Sequence, residues 1–494
     1  MCGIMMNKNM DRAKQKKIRN IRVILTNIFM SVSVVAIVFV LMLIAMGFSF
    51  NESGKLEQAG LLQLSSHPSG ASVEIDKSVQ FGHTDFSKML SSGKHSIYID
   101  KEGYDHWEQD VKIDPGLFTR VEWIRLFPKQ TEVSNVSSFA SLRFATFSPD
   151  RRWLVLAEQD SNNLIRINIQ DEKLKHDSLP LANLLNASTS SAKTGNIEIM
   201  AWSENCNKIL VRWTRDEQTA SWHLLDLEHS ENSINLSSKL SLTFDDIQIA
   251  NGSASKLWAI ADGKLYSIDL DKYSVSDAVA ENVVLFAHNR DTVAFISTGK
   301  DQETGKTKRY LMTFKEGEKG STLIRALSGK GDLAVRLAMG THWNEEWIAY
   351  QTGADITILS GRYPSYGKDE VNKLKTKLQQ SLDYAPIALS VNQKQRIIIF
   401  AGETSYTYYD IETTDTSSVS LKAPIASINW LDDYLIWHNV DGKAIVRDFD
   451  GSNRRTIAKK ASQNYPVVVS ENNRWLYYFG EKDEKVTLKR YKLD

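Results

Sequence analysis

The sequence predicts an all-β protein behind an N-terminal transmembrane helix, with a small β-sandwich followed by a C-terminal β-propeller. Three observations predict this. An apolar run fills residues 23–48, alternating strands fill 61–128, and a two-strand apolar motif recurs from residue 144 onward. The first demands lipid, the second a sheet with one buried face, and the third a ring of blades.

The run from Val23 to Phe48 reads VILTNIFMSVSVVAIVFVLMLIAMGF, and no Asp, Glu, Lys or Arg lies between Arg22 and Glu52. A helix rises ~1.5 Å per residue, so about 20 such residues cross a hydrocarbon core about 30 Å thick. Lipid offers no hydrogen bonds to the backbone, so the segment is expected as one helix. Asn27, Ser31 and Ser33 need no role beyond that anchor. Before the span, Lys8, Arg12, Lys14, Lys16, Lys17, Arg19 and Arg22 are opposed only by Asp11; after it, NESGKLEQAG carries no basic excess. Positive charge stays in the cytoplasm. Residues 1–22 therefore read as a cytoplasmic tail, 23–48 as an uncleaved signal-anchor, and 49–60 as a linker to an extracytoplasmic body on a single-pass cell-membrane protein. A cleaved signal peptide has an apolar core of only about 7–15 residues and a small-residue cleavage site. No lipobox cysteine follows the span.

The chain has 494 residues with 60 basic and 60 acidic groups, so no whole-chain basic field favours nucleic acid as a partner. Its two cysteines, Cys2 and Cys206, fall on opposite sides of the expected membrane. They exclude an intrachain disulfide and the cysteine-based zinc motifs, leaving packing to hold the body together.

Residues 61–128 form the first unit of that body. LLQLSSHPSGASVEIDKS gives a strand, a Pro68-Ser69-Gly70 turn and the strand from Ser72 to Asp76. SSGKHSIYIDKEGY, HWEQDVKID and FTRVEWIRLF supply further strands, with a Pro115-Gly116 turn before the last. Val73 and Ile75, like Ile97 and Ile99, alternate onto one face, which demands a sandwich. His67, His83, His95 and His106 are scattered and read as surface or turn residues.

This unit resembles the PEGA domain, a small β-sandwich of bacterial and archaeal envelope proteins. The motif residues are Pro68, Ser69, Gly70 and Ala71, then Gly93-Lys94-His95, then Lys101-Glu102 with Gly103 and Tyr104. Gly82-His83-Thr84-Asp85 lacks the proline usual in the family, and Asp76-Lys77 stands for its Asp-Gly turn. The resemblance implies a surface-associated, interaction-prone fold without a common ligand.

From residue 129 to 494 the unit is apolar strand, polar turn, apolar strand. FATFSPDRRWLVLA at Phe144, IMAWSENCNKILVRW at Ile199, IQIANGSASKLWAIA at Ile247 and VLFAHNRDTVAFIS at Val284 are followed by four more copies, from Arg336, Ile387, Ile425 and Val467. Intervals of roughly 35 to 55 residues, with third strands such as LIRINIQ and AIVRDFD, indicate four-stranded blades. Eight blades are predicted, with seven as the alternative. Lys373 to Asp383, KLKTKLQQSLD, reads as a helical insertion or an irregular outer strand. The tryptophans in the first two strands, Trp202, Trp213, Trp258, Trp347, Trp430, Trp437 and Trp475, are expected to pack blade against blade.

The turn of Ser148, Pro149 and Asp150, followed by Arg151-Arg152-Trp153, resembles the Ser-Pro-Asp-Gly-Lys turn of TolB-like propellers, with Arg151 where glycine is usual. Asp448, Asp450 and Asn453 cluster oxygen ligands that suit calcium or a plain hairpin equally. The eighth copy has no fourth strand before Asp494, so the strand-like QTEVSNV, from Gln130 to Val136, is expected to complete it.

Chemistry-bearing motifs are missing from the sequence. There is no Gly-x-Ser-x-Gly elbow and no His-Glu-x-x-His, and the acidic pairs Asp245-Asp246 and Asp432-Asp433 point apart on a strand. The expected role is non-catalytic: no cofactor, no metal, one helix in the bilayer, and a propeller that binds a protein or cell-wall glycan. Binding is expected to track the loops that lead into first strands and the turns between second and third strands. A glycan hydrolase or lyase with a carboxylate site is the alternative.

Overall fold

The computed structural model describes residues 2–50, 56–188, 195–215, 220–301, 305–327, 333–368, 373–425, 427–482 and 485–494. The chain divides into two compact units, Met1–Leu126 and Phe127–Asp494.

In the first unit, helix α1 spans Cys2–Ala45 and takes in the basic tail as well as the apolar run. Its segment Ile21–Ile44 is long and apolar enough to cross a membrane. Arg22 is exposed; the side chains of Lys14, Lys16, Lys17 and Arg19 lie outside the described set. The helix stops at Ala45, short of the expected end at Phe48, because a turn there leads into Phe48–Phe50, which pairs antiparallel with Leu56–Gln58 of the expected linker.

The sandwich has two sheets. One orders Phe86–Leu90, Gly60–His67 and Phe118–Arg125, the last two parallel; the other orders Ser78–His83, Ser72–Ile75, Gly93–Asp100 and Trp107–Ile113. Leu62, Leu64, Val73, Ile97, Ile99 and Trp107 are fully buried between them. The PEGA-like residues are structural. Gly70 N–H donates to Thr84 O (2.7 Å), Ala71 N–H to Thr84 Oγ1 (3.0 Å) and Lys101 Nζ to Ser69 O (2.7 Å). Gly103 takes φ +83°, beyond the reach of most side chains, and Tyr104 N–H closes that turn onto Lys101 O. Asp76 and Lys77 both adopt left-handed φ (51° and 64°), so a pair without glycine makes the hairpin. His95 is a packing residue held between the Asp76 carboxylate (2.6 Å) and Ser91 O (2.9 Å).

The second unit contains eight four-stranded blades. Blades 1 to 7 are continuous segments: 142–180, 196–235, 246–275, 283–326, 335–381, 388–420 and 429–459. Blade 8 is composite. Val468–Val469, Trp475–Lys482 and Lys485–Lys492 are completed by Ser134–Phe139, which pairs antiparallel with Lys485–Lys492. The completing strand thus begins four residues later than the expected QTEVSNV, because Phe139 supplies the buried end of the register opposite Val486. Residues 375–381 are the outer strand of blade 5 and not a helix; Lys375, Lys377 and Gln379 face solvent, which suits an edge. Phe127 belongs to the ring, packed beside Leu431 and Leu493 with Arg455 5.2 Å above it.

Hydrophobic clusters lie between blades. Tyr477 and Leu488 of blade 8 meet Leu154 and Leu156 of blade 1, and similar clusters join blades 1–2, 2–3, 3–4, 4–5, 5–6 and 7–8. Blades 6 and 7 meet through Tyr408 against Phe449 and through Trp430 Nε1, which donates to Ser390 Oγ (2.9 Å). Trp202 does the same onto Thr146 Oγ1 of blade 1 (3.1 Å). Trp213, Trp258, Trp347 and Trp437 are buried in the inter-blade clusters. Trp475 packs against the cluster joining blades 8 and 1, with the Arg490 guanidinium 4.2 Å from its ring. Tyr477 Oη donates to Ile169 O (3.0 Å), joining the last blade to the first.

Candidate functional site

Antiparallel alternation puts every first-to-second turn on one rim and every second-to-third turn on the other. Five of the first-rim turns share one construction: Ser148-Pro149-Asp150-Arg151, Ser203-Glu204-Asn205-Cys206, Asn251-Gly252-Ser253-Ala254, Asn392-Gln393-Lys394-Gln395 and Ser470-Glu471-Asn472-Asn473. In each, the fourth residue is left-handed (φ 54–60°) and its N–H bonds back to the first carbonyl. The side-chain oxygen of the first residue accepts the N–H five positions on, from Trp153, Lys208, Lys256, Ile397 and Trp475 at 2.9–3.2 Å. Ser and Asn suit this place because a short side-chain oxygen reaches its own following backbone. Ser148, Pro149 and Asp150 are therefore one of five equivalent turns, with Arg151 in the left-handed slot.

The turns of blades 2, 3 and 6 open onto a cavity of about 830 Å³ lined from blades 2 to 6 by Trp202, Glu204, Asn251, Arg290, Thr341 and Lys394, among others. A second cavity of about 450 Å³ continues it over blades 6, 7, 8 and 1, sharing Gln393. The rim is stitched from blade to blade. Lys256 pairs with Glu316 (2.8 Å), Asn289 Nδ2 donates to Thr341 Oγ1 (2.6 Å), Thr341 N–H donates to Gln395 Oε1 (2.7 Å), and Arg152 pairs with Glu471 (3.0 Å). Asn392 Nδ2 donates to Asp433 O (2.7 Å), and Lys394 lies 3.6 Å from the Asp433 carboxylate. The expected surface, of loops into first strands and second-to-third turns, is the opposite rim.

The electrostatics favour rigidity over reactivity. The hydrogen bond from Arg152 holds the Glu471 carboxyl below its ordinary value, and Glu316 raises the Lys256 ammonium. Burial lowers the His288 imidazole to about 4, so it is neutral at physiological pH. Burial also pushes the Cys206 thiol up to about 11, which leaves no thiolate. Ser221 Oγ and His223 Nε2 share a hydrogen bond (2.9 Å), but His223 Nδ1 is buried without a partner, so no third group orients the ring.

The acidic pairs act as turn and strand residues. Asp432 Oδ1 caps Tyr434 and Leu435 N–H, and burial raises the Asp246 carboxyl beside Gln248. Asp448 and Asp450 accept from Ser452 Oγ, and Asn453 Nδ2 donates to Asp448, which makes the hairpin reading the one the side chains occupy. Among the described residues, no three or more His, Cys, Asp or Glu side chains group to hold a metal. His288 to Asp291 and Gln393 to Gln395 were missed as rim residues. For Gln393 to Gln395 the signal available was Asn392, after an apolar strand and three residues before the left-handed Gln395; the blade 4 turn has Ala287 at that place and carried no such signal.

Residues 59–124 match the family described as the PEGA domain. Among solved structures the chain is similar to an oligogalacturonate lyase in complex with manganese, at 10% identity and TM-score 0.42, over 74% of this chain and 98% of that one. It is also similar to Porphyromonas gingivalis dipeptidyl peptidase 4, at 11% identity and TM-score 0.46, over 68% of this chain and 56% of that one. A third is PorZ, a bacterial surface component of the type-IX secretion system of Porphyromonas gingivalis, at 11% identity and TM-score 0.40, over 71% and 43% of the two chains. No curated protein matches. The chain combines a PEGA domain with a β-propeller behind an apolar N-terminal helix.

Proposed function

We propose that this is a non-catalytic, membrane-anchored protein whose propeller binds a partner at the cell envelope through its first-turn rim. α1 is the anchor, the basic N-terminus stays in the cytoplasm, and the sandwich and ring lie outside. The observation that carries the reading is the convergence of residues from all eight blades on two adjoining cavities. A rim braced by inter-blade bonds is pre-ordered, so binding costs little loop entropy. Its acids and bases are largely paired with each other, which suits a protein or a neutral wall glycan and not a nucleic acid. Exposed Trp343, 76% accessible on the blade 5 turn, adds an aromatic anchor.

The test is cross-linking and co-purification from envelopes with the full chain. Trp343→Ala combined with Arg290→Glu should lose the partner, while Asp262→Lys on the opposite rim should keep it. Loss with Asp262→Lys alone would move the site to the other rim. Turnover of wall glycan by the purified chain would replace this reading with an enzyme.

A further inference from the structure

The foot of the sandwich carries an apolar surface that lies outside the sandwich core. Gly60–His67 sends Leu62 and Leu64 inward, so Leu61 and Gln63 face outward. Register places Met89 and Phe118 on either side of Leu61, and Ser87 and Arg120 on either side of Gln63. One transverse row of that face is therefore Met89–Leu61–Phe118, and the next is Ser87–Gln63–Arg120. Same-face rows are about 7 Å apart along the strands, and the change from apolar to polar occurs within that step. Met89 and Phe118 are each 47% exposed, and Leu117 on the preceding turn is 61% exposed.

The apolar row lies at the end where α1 stops. Ala59 N–H donates to Gly47 O (2.8 Å), Gly116 N–H to Ala59 O (3.1 Å), and Leu61 N–H to Leu117 O (3.0 Å). Gln58 Nε2 donates to Met46 O (3.0 Å), and Met46 is itself exposed. The Leu117 turn is thus two backbone spacings, about 10 Å, from the end of the membrane-crossing segment. Arg120 lays its guanidinium 5.0 Å over the Phe118 ring and pairs with Glu122 (3.0 Å), as a side chain does that spans apolar and polar layers.

We propose that Leu117, Phe118, Leu61, Met89 and Met46 seat the foot of the sandwich in the headgroup region of the bilayer, with the Ser87–Gln63–Arg120 row marking where water begins. The occupant is lipid because the apolar row continues the surface that α1 already gives to lipid. An amphipathic surface buries about 5–10 Å into that boundary, which matches one row of side chains. This inference rests on α1 being a membrane anchor.

The test uses the full chain with Cys2→Ser, whose remaining thiol, Cys206, is buried. Leu117→Cys, Phe118→Cys, Glu102→Cys at the far end of the sandwich, and Val35→Cys within the span are each nitroxide-labelled. The proteins are then reconstituted in phosphatidylcholine–phosphatidylglycerol vesicles. Relaxation by a water-soluble nickel complex should be several-fold weaker at Leu117→Cys and Phe118→Cys than at Glu102→Cys, with Val35→Cys shielded. Adding Phe118→Asp should bring the Leu117→Cys label toward the Glu102→Cys value. Equal aqueous access at 117, 118 and 102 with a shielded 35 overturns the seat and leaves the anchor standing. Aqueous access at 35 overturns both.

Discussion

In the sandwich, Leu62, Val73, Ile97 and Trp107 close one core within a single stretch of chain, whereas in the ring the hydrophobic clusters form between neighbouring blades. A blade such as 429–459 places Trp437 and Val446 against blade 8, so it has no complete core of its own. Stability in the sandwich is consequently local, and stability in the ring is shared around the circle.

The strongest way to break this contrast is to delete residues 134–139. That strips the outer strand from Lys485–Lys492 and uncovers Phe479 and Leu488, so the ring should lose more than about 4 kcal/mol in denaturant unfolding. An unchanged midpoint would mean blade 8 stands without its borrowed strand. Trp107→Ala should cost about 3–5 kcal/mol, confined to a sandwich transition seen by local fluorescence. A matching fall in the ring transition would show that the two cores are coupled.

Polar groups sharpen the contrast at a smaller scale. Arg396 and Asp410 form a bidentate pair at 2.7–3.1 Å, 7% and 3% exposed, inside blade 6. Asp410→Asn should cost about 3 kcal/mol because it removes the buried bidentate partner and leaves the guanidinium only the partly exposed Glu412 carboxylate as counter-charge. Asp110→Asn breaks a sandwich pair 71% and 52% exposed and should cost less than about 1 kcal/mol, by thermal melting of each variant.

Acid should separate the units last. Burial holds His223 and His438 of the ring near pKa 4 against an ordinary 6.5. Between those values the unfolded chain takes up protons that the folded ring refuses, so the ring weakens as pH falls from about 6.5 to about 4 and levels below. Each histidine contributes at most about 1.4 kcal/mol per pH unit in that window. In the sandwich the bond from His95 lowers the Asp76 carboxyl, whose contribution is kept until pH drops below the ordinary carboxylate value of 3.8. Ring melting temperatures that stay flat from pH 6.5 to 4.5, or that slope equally in His223→Gln, would refute the assignment.

The repeats were legible because both faces of a blade are buried, so first and second strands write themselves as apolar runs around a polar turn. The borrowed strand was legible to within four residues, by the shortage of strands in the last copy. Ser78–His83 and Phe86–Leu90 were not, because they expose Val79, Phe81 and Met89 and so break the inward alternation that marks a strand. The rim was hidden for a different reason. Trp202, Arg290 and Lys394 come together only after five blades have curved around an axis, and no local spacing encodes that curvature. The hairpin at Phe48–Phe50 carried too few residues to show a period.

The borrowed strand also sets a clock on biogenesis. Ser134 hydrogen-bonds to Arg490, 356 residues later in the chain. At about 5–20 residues per second, its partner is synthesised roughly 20–70 s after it. Through that interval Ser134–Phe139 presents a free edge next to seven finished blades, and a ribosome that stalls late would leave it so. Completion of blade 8 is therefore the step that seals this edge, and the interval before it is when a chaperone has something to hold.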